Sequence, residues 1–140
     1  EAVQENRRRV AAVVGVAPDR LVFMNQVHGD RVVQVDGPWD AREGWPDGLP
    51  DCDGLVTTRP DLALAVLVAD CVPVLLSAPD EGVVGVAHAG RAGMAAGVVL
   101  RLLEAMRDLG ARSIVGRLGP SVCPRCYPVG QTLCDEVASV

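Results

Sequence analysis

Asp70-Cys71-Val72-Pro73-Val74-Leu75-Leu76-Ser77-Ala78-Pro79-Asp80-Glu81-Gly82-Val83-Val84-Gly85-Val86-Ala87-His88 decides the fold of this chain. Two short apolar runs, 72–76 and 83–87, flank the turn-forming Pro79-Asp80-Glu81-Gly82, and that pattern predicts a β-hairpin. A hairpin sets the start of its first strand beside the end of its second. Cys71 and His88, 17 residues apart, are therefore expected at the same end of neighbouring strands.

Working outward, 55–57 and 62–68 read as further strands close to the hairpin. Several of these runs are continuously apolar, as in strands covered on both faces. Further upstream, 21–24 and 31–35 also read as strands, and the connection 25–30 carries the other histidine, His28. Residues 2–14 have an amphipathic helical pattern, with Ala2, Val3, Val10, Ala11 and Val14 opposite the arginines, and Pro18-Asp19 breaks it. Between 36 and 53 runs a long acidic loop with Trp39 and Trp45, of a length that reads as either mobile or functional, a lid being one such function. Its tryptophans are read as anchors onto the domain, with stacking on a flat ligand as the alternative.

Downstream, 92–109 is expected as one helix. Met94, Val98, Leu102, Met106 and Leu109 form an apolar stripe at helical spacing, and Gly110 stops it. A strand over 113–118, the Gly119-Pro120 turn and a helix start over 131–140 complete the pattern. No internal repeat or linker is visible. The expectation is one α+β domain over 1–140, a mixed α/β layer structure.

Composition narrows the function classes. Of 140 residues 49% are hydrophobic, enough for a real core, but only four are aromatic, so the core must be Val, Leu and Ala. A net charge of -5 argues against a nucleic-acid surface. All 13 basic residues are Arg, which excludes a lysine Schiff base and a P-loop lysine. The longest apolar stretch, 62–76, is interrupted by Asp70 and Pro73 and is too short to span a bilayer. The opening Glu1-Ala2-Val3-Gln4-Glu5 and Arg7-Arg8-Arg9 do not read as an export signal. Five cysteines without a disulfide-framework spacing then point to a reducing cytoplasm.

The chain's two histidines, His28 and His88, and Cys71 all lie at the ends of apolar runs. Catalytic zinc takes three such ligands and leaves a fourth position open, so the trio is a candidate centre. Asp70 would orient an imidazole or act as general base. The other reading makes Cys71 a core cysteine and the histidines turn residues, since no HExxH or paired CxxC is present. His88-Ala89-Gly90-Arg91-Ala92-Gly93 joins a strand to a helix start. It reads either as a phosphate site built from Gly90, Arg91 and Gly93 or as a close-packed turn of small residues. Cys123-Pro124-Arg125-Cys126 is a single CxxC with Cys134 nearby. It reads as a loop near the site, with redox chemistry as the alternative.

Asn25-Gln26-Val27-His28-Gly29, Asp53-Gly54-Leu55-Val56-Thr57, Ala69-Asp70-Cys71-Val72-Pro73-Val74-Leu75-Leu76, Val86-Ala87-His88-Ala89-Gly90 and Gly119-Pro120 through Cys126-Tyr127-Pro128-Val129-Gly130 occur in the order seen in the YfiH family. The chain resembles that family over essentially its whole length, Glu5-Asn6-Arg7-Arg8 included. Its members have been labelled polyphenol oxidases or laccases and are also called purine nucleoside phosphorylases. The resemblance implies a mixed α/β sandwich, usually monomeric and cytoplasmic, with zinc held at His28, Cys71 and His88. It also implies phosphorolysis of adenosine, inosine, guanosine and methylthioadenosine, with adenosine deamination as a further activity. Phosphate would sit near 90–93, and Asp70 would serve as the acid/base.

Three positions depart from the family. Arg91-Ala92 follows Gly90 where the family has Trp-Arg, and Pro128 stands where Glu is common. Members are also longer, so this chain is expected to be partial at both ends. Three alternatives stay open beside the phosphorylase. They are a copper-dependent polyphenol oxidase on the same ligands, a hydrolase of cell-wall precursors with Cys71 as nucleophile, and a non-catalytic metal-binding fragment.

Overall fold

The structure, a computed structural model, describes residues 1–38 and 51–139. Its elements in chain order are α1 (Ala2–Val14), β1 (Leu21–Val22), β2 (Val32–Gln34), β3 (Gly54–Thr57), β4 (Ala63–Leu64), β5 (Val72–Ala78), β6 (Val83–Ala89), α2 (Arg91–Ala96), α3 (Val98–Asp108), β7 (Val115–Leu118) and α4 (Gln131–Ala138). The expected hairpin is β5–β6, antiparallel with Val72 opposite Ala89 and Ala78 opposite Val83. It forms the middle of a five-stranded mixed sheet of order β2-β3-β6-β5-β7, in which only β2 and β3 run parallel. A separate parallel pair, β1–β4, lies outside it.

Side-chain alternation along the strands sorts the core onto two faces. Val56, Val74, Val83 and Ala87 pack with Val98, Leu102 and Met106 of α3. Leu55 and Val86 point to the other face and pack with Val22, Met24, Cys52 and Leu62. Helices and sheet are thus layered as expected for the α+β class. Burying Leu102, which is fully enclosed, stabilises the fold by about 1.5–3 kcal/mol on transfer alone.

Several elements differ from the sequence expectation, each for a local reason. The helix expected over 92–109 is two helices, because Gly97 adopts φ 93°, caps α2 and restarts the chain as α3. A left-handed residue cannot sit inside a helix. Met94 therefore leaves the buried stripe and is half exposed. The strand expected over 62–68 is only Ala63–Leu64. Beyond it, the Gln26 side-chain amide replaces a strand partner, accepting from the Leu67 N–H (2.9 Å) and donating to its carbonyl (2.6 Å). Of the apolar stripe on α1 only Ala11 is buried, packed on Leu21 and Phe23. Trp39, Trp45 and most of the acidic loop lie outside the described residues. Its last two positions, Cys52 and Asp53, are fully buried and lead into β3.

Candidate metal centre

The hairpin register carries two members of the trio. Pro73 pairs with His88 and Val72 with Ala89, so Cys71, just before β5, lies beside the C-terminal end of β6. His28 comes from the turn that precedes β2. The ligand atoms of His28, Cys71 and His88 lie within 4.8 Å of one another. Cys71 Sγ is 3.8 Å from His28 Nε2, and the imidazole rings meet edge to face at 4.7 Å between centroids. His88 is 3% exposed, Cys71 is half-buried and His28 is exposed.

The residue that organises the site is Asp53. Gly54 pairs with Ala87 across β3–β6, and the His88 N–H donates to the Asp53 carbonyl at 2.8 Å. Asp53 and His88 are thus cross-strand neighbours facing the same side. His88 Nδ1 donates to Asp53 Oδ1 at 2.7 Å. The backbone N–H groups of Val27 (3.2 Å), His28 (3.0 Å) and Gly29 (2.7 Å) all donate to the same carboxylate. Burial acts to raise the Asp53 carboxyl, but the bonds from His88, Gly29, His28 and Val27 outweigh it and hold it below the ordinary carboxylate range.

An ionised carboxylate only accepts, so the His88 proton sits on Nδ1 and Nε2 keeps its lone pair for a ligand. Meanwhile the three N–H bonds close the 27–29 turn and keep His28 at φ 61°, a conformation that is costly for a residue with a Cβ. One buried charge therefore orients both imidazoles.

The start of α2 is packed against this turn. A Cβ on Gly90 would lie 2.7 Å from His28 Cδ2 and 3.2 Å from Cys71 Sγ, and one on Gly93 would lie 2.7 Å from the Gly29 carbonyl oxygen. Small residues here let the two imidazole-bearing segments approach. Arg91 is exposed and, with Asp70, Cys71, Met94, Tyr127 and Leu133, lines a cleft of about 660 Å³. Asp70 is exposed at that cleft, and its carbonyl accepts the Val122 N–H at 3.0 Å. The imidazole-orienting acid is Asp53, which sequence reasoning had placed in the loop. Its signal was a charged residue directly ahead of a run that reads as buried on both faces.

The donor set fits a tetrahedral metal. Zn–N and Zn–S bonds of about 2.0–2.3 Å put ligand atoms about 3.3–3.7 Å apart, close to the 3.8 Å seen between Cys71 and His28. The three side chains could hold such an ion and leave one position open. Among the described residues, no helix is long and apolar enough to cross a membrane.

Comparison with known proteins places the chain. A purine nucleoside phosphorylase of Streptomyces coelicolor is 52% identical over 99% of this chain and 56% of its own length. One from Mycobacterium bovis is 51% identical over 97% of this chain and 53% of its own. Among solved structures, Bacillus licheniformis hypothetical protein YfiH superposes with a TM-score of 0.88 at 33% identity, covering 99% of this chain and 54% of that one. YlmD from Geobacillus stearothermophilus gives 0.87 at 32%, covering 98% and 53%. The chain spans about half the length of the relatives it matches. The family described as multi-copper polyphenol oxidoreductase laccase matches residues 1–140, and with these neighbours the chain belongs to that family, the YfiH family.

Proposed function

We propose that this chain forms the metal-bearing part of a zinc-dependent purine nucleoside phosphorylase, which converts a purine nucleoside and phosphate to free base and ribose 1-phosphate. The observation that carries the reading is the convergence of His28, Cys71 and His88 beside a cleft, in a chain whose relatives are named purine nucleoside phosphorylases. Adenosine, inosine, guanosine and methylthioadenosine are the expected nucleosides, with adenosine deamination as a second activity. When bound, zinc supplies a Lewis acid for a substrate oxygen or water.

The chain's own residues divide the remaining work. Asp53 fixes the His88 proton on Nδ1 and braces the turn bearing His28, so both rings are oriented before any ligand arrives. Arg91, the basic side chain of the cleft, would hold phosphate, with Gly90 and Gly93 keeping the backbone close. Asp70, which also lines the cleft, would move the proton.

Metal analysis of purified protein tests the reading, with Cys71→Ala alongside. About one zinc per chain, lost in the variant, is expected. A cooperatively folded protein without metal would overturn it. Phosphate-dependent release of hypoxanthine from inosine then tests the reaction, and release that needs water alone would mean hydrolysis. One thiol and two imidazoles also suit a single copper. Copper in place of zinc, with oxygen uptake on a phenol, would favour the activity in the family's description.

A further inference from the structure

The Cys123-Pro124-Arg125-Cys126 segment takes no part in the centre described above, yet its thiols are placed with care. Both are exposed, and Cys126 Sγ lies 3.1 Å from Cys123 Sγ. The segment is fastened at its base, where the Gly119 N–H donates to the Pro73 carbonyl and the Val122 N–H to the Asp70 carbonyl, both at 3.0 Å. It then forms a 3-10 turn over Pro124–Cys126, closed by the Cys126 N–H on the Cys123 carbonyl at 2.9 Å. The closed turn holds the two cysteines within reach of each other.

We propose that Cys123 and Cys126 are a reversible dithiol–disulfide pair that is oxidised by hydrogen peroxide. Cys123 is the attacking thiol, because it sits at the N-terminal end of the 3-10 turn, where contact with the Cys126 thiol at 3.1 Å and the backbone N–H groups of Cys126 and Arg125 lower its pKa. The hydrogen bond with Cys123 pushes the Cys126 thiol up. Burial raises Cys52 to about 11, which keeps that thiol inert.

In the first step the Cys123 thiolate attacks a peroxide oxygen. The O–O bond breaks, a sulfenic acid forms, and the leaving hydroxide takes a proton to become water. The Cys126 sulfur then attacks Cys123, the S–O bond breaks, and hydroxide leaves with the Cys126 proton as a second water. Two thiols lose two electrons and the peroxide gains them; a dithiol reductant reverses the step. Val122 and Tyr127, on either side of the pair, line the cleft beside Cys71, so the bridge closes next to that cleft.

Trypsin gives a direct test, since it cuts after Arg117 and between Arg125 and Cys126. Hydrogen peroxide is added to the purified chain, free thiols are alkylated, and the digest is weighed. The expected result is loss of two of the five thiols and of the mass of two hydrogens. The peptide 118–125 should be joined to the one beginning at Cys126, and dithiothreitol should part them. Cys134 lies on the second peptide, so the join must persist in Cys134→Ser. In Cys126→Ser, dimedone should trap sulfenic acid on Cys123. Free Cys123 and Cys126 while Cys71 or Cys134 is consumed would overturn the proposal, as would loss of the join in Cys134→Ser.

Discussion

Replacing Asp53 by asparagine keeps the side chain's shape and removes one acceptor. Oδ1 accepts from His88 Nδ1 (2.7 Å) and the His28 N–H (3.0 Å), and Oδ2 accepts from the Val27 (3.2 Å) and Gly29 (2.7 Å) N–H groups. An asparagine offers one oxygen and an NH2 that only donates. With the NH2 at the Oδ2 position, two backbone donors face a third. With it at the Oδ1 position, the His28 N–H is orphaned, and His88 keeps its bond only by moving its proton to Nε2. That tautomer has no lone pair left for a metal. Each orphaned donor costs about 1–3 kcal/mol, and each lost charge-assisted bond about 1.5–3 kcal/mol. One of each comes to about 2.5–6 kcal/mol, which brackets the roughly 3–5 kcal/mol for breaking a buried charged pair. Loss of an imidazole's orienting partner lowers metal affinity about 10–100-fold. Urea unfolding of the metal-free protein reads the first number, and competition for zinc with a chromophoric chelator reads the second. An Asn variant with unchanged midpoint and unchanged zinc affinity would refute Asp53 as the organiser.

Gly90→Ala inserts a methyl 2.7 Å from His28 Cδ2 and 3.2 Å from Cys71 Sγ, at a φ of -72° that alanine accepts. Zinc affinity should fall by about tenfold or more in a protein that still unfolds cooperatively, as chelator competition and urea melts would show. Leu102→Ala empties a fully buried site between α3 and the sheet and should cost about 3 kcal/mol in urea unfolding, with zinc stoichiometry retained. Asp61 accepts from Arg59 Nε and Nη2, both at 3.1 Å, and from Arg20. The Arg59 hydrogen bonds are the main cause that holds its carboxyl at about 2 against an ordinary 3.8. The stability it adds is fully present above the unfolded value and is lost as pH falls through the folded one. The gap in urea midpoint between wild type and Asp61→Asn should therefore be constant above about pH 5 and close towards pH 2.

Much of the fold was legible because it is local. The Pro79-Asp80-Glu81-Gly82 turn and its flanking valines specify β5–β6 without help from distant residues. Helix α1 matches its expected span, residue for residue. The misses came where a single residue changes the backbone or where a side chain takes a strand's place. Gly97 sits within a helical stripe, and periodicity counts side chains, not φ. Gln26 satisfies the 67 backbone from 41 residues away, which no window of sequence contains.

For the site, the sequence by itself supplied the candidate donor atoms: two imidazoles and one thiol at strand ends, two of them paired by a hairpin whose register follows from its turn. Only the tertiary structure decided that His28 joins them and that Asp53, not Asp70, orients the rings. The reason is physical. Hairpin contacts are set by neighbours along the chain, whereas Asp53 meets His88 through antiparallel pairing of β3 with β6, and meets the 27–29 turn through parallel pairing of β2 with β3. Those pairings are chosen by which apolar faces bury against α3 and against the β1 segment. The charge at their junction is buried only once both are made.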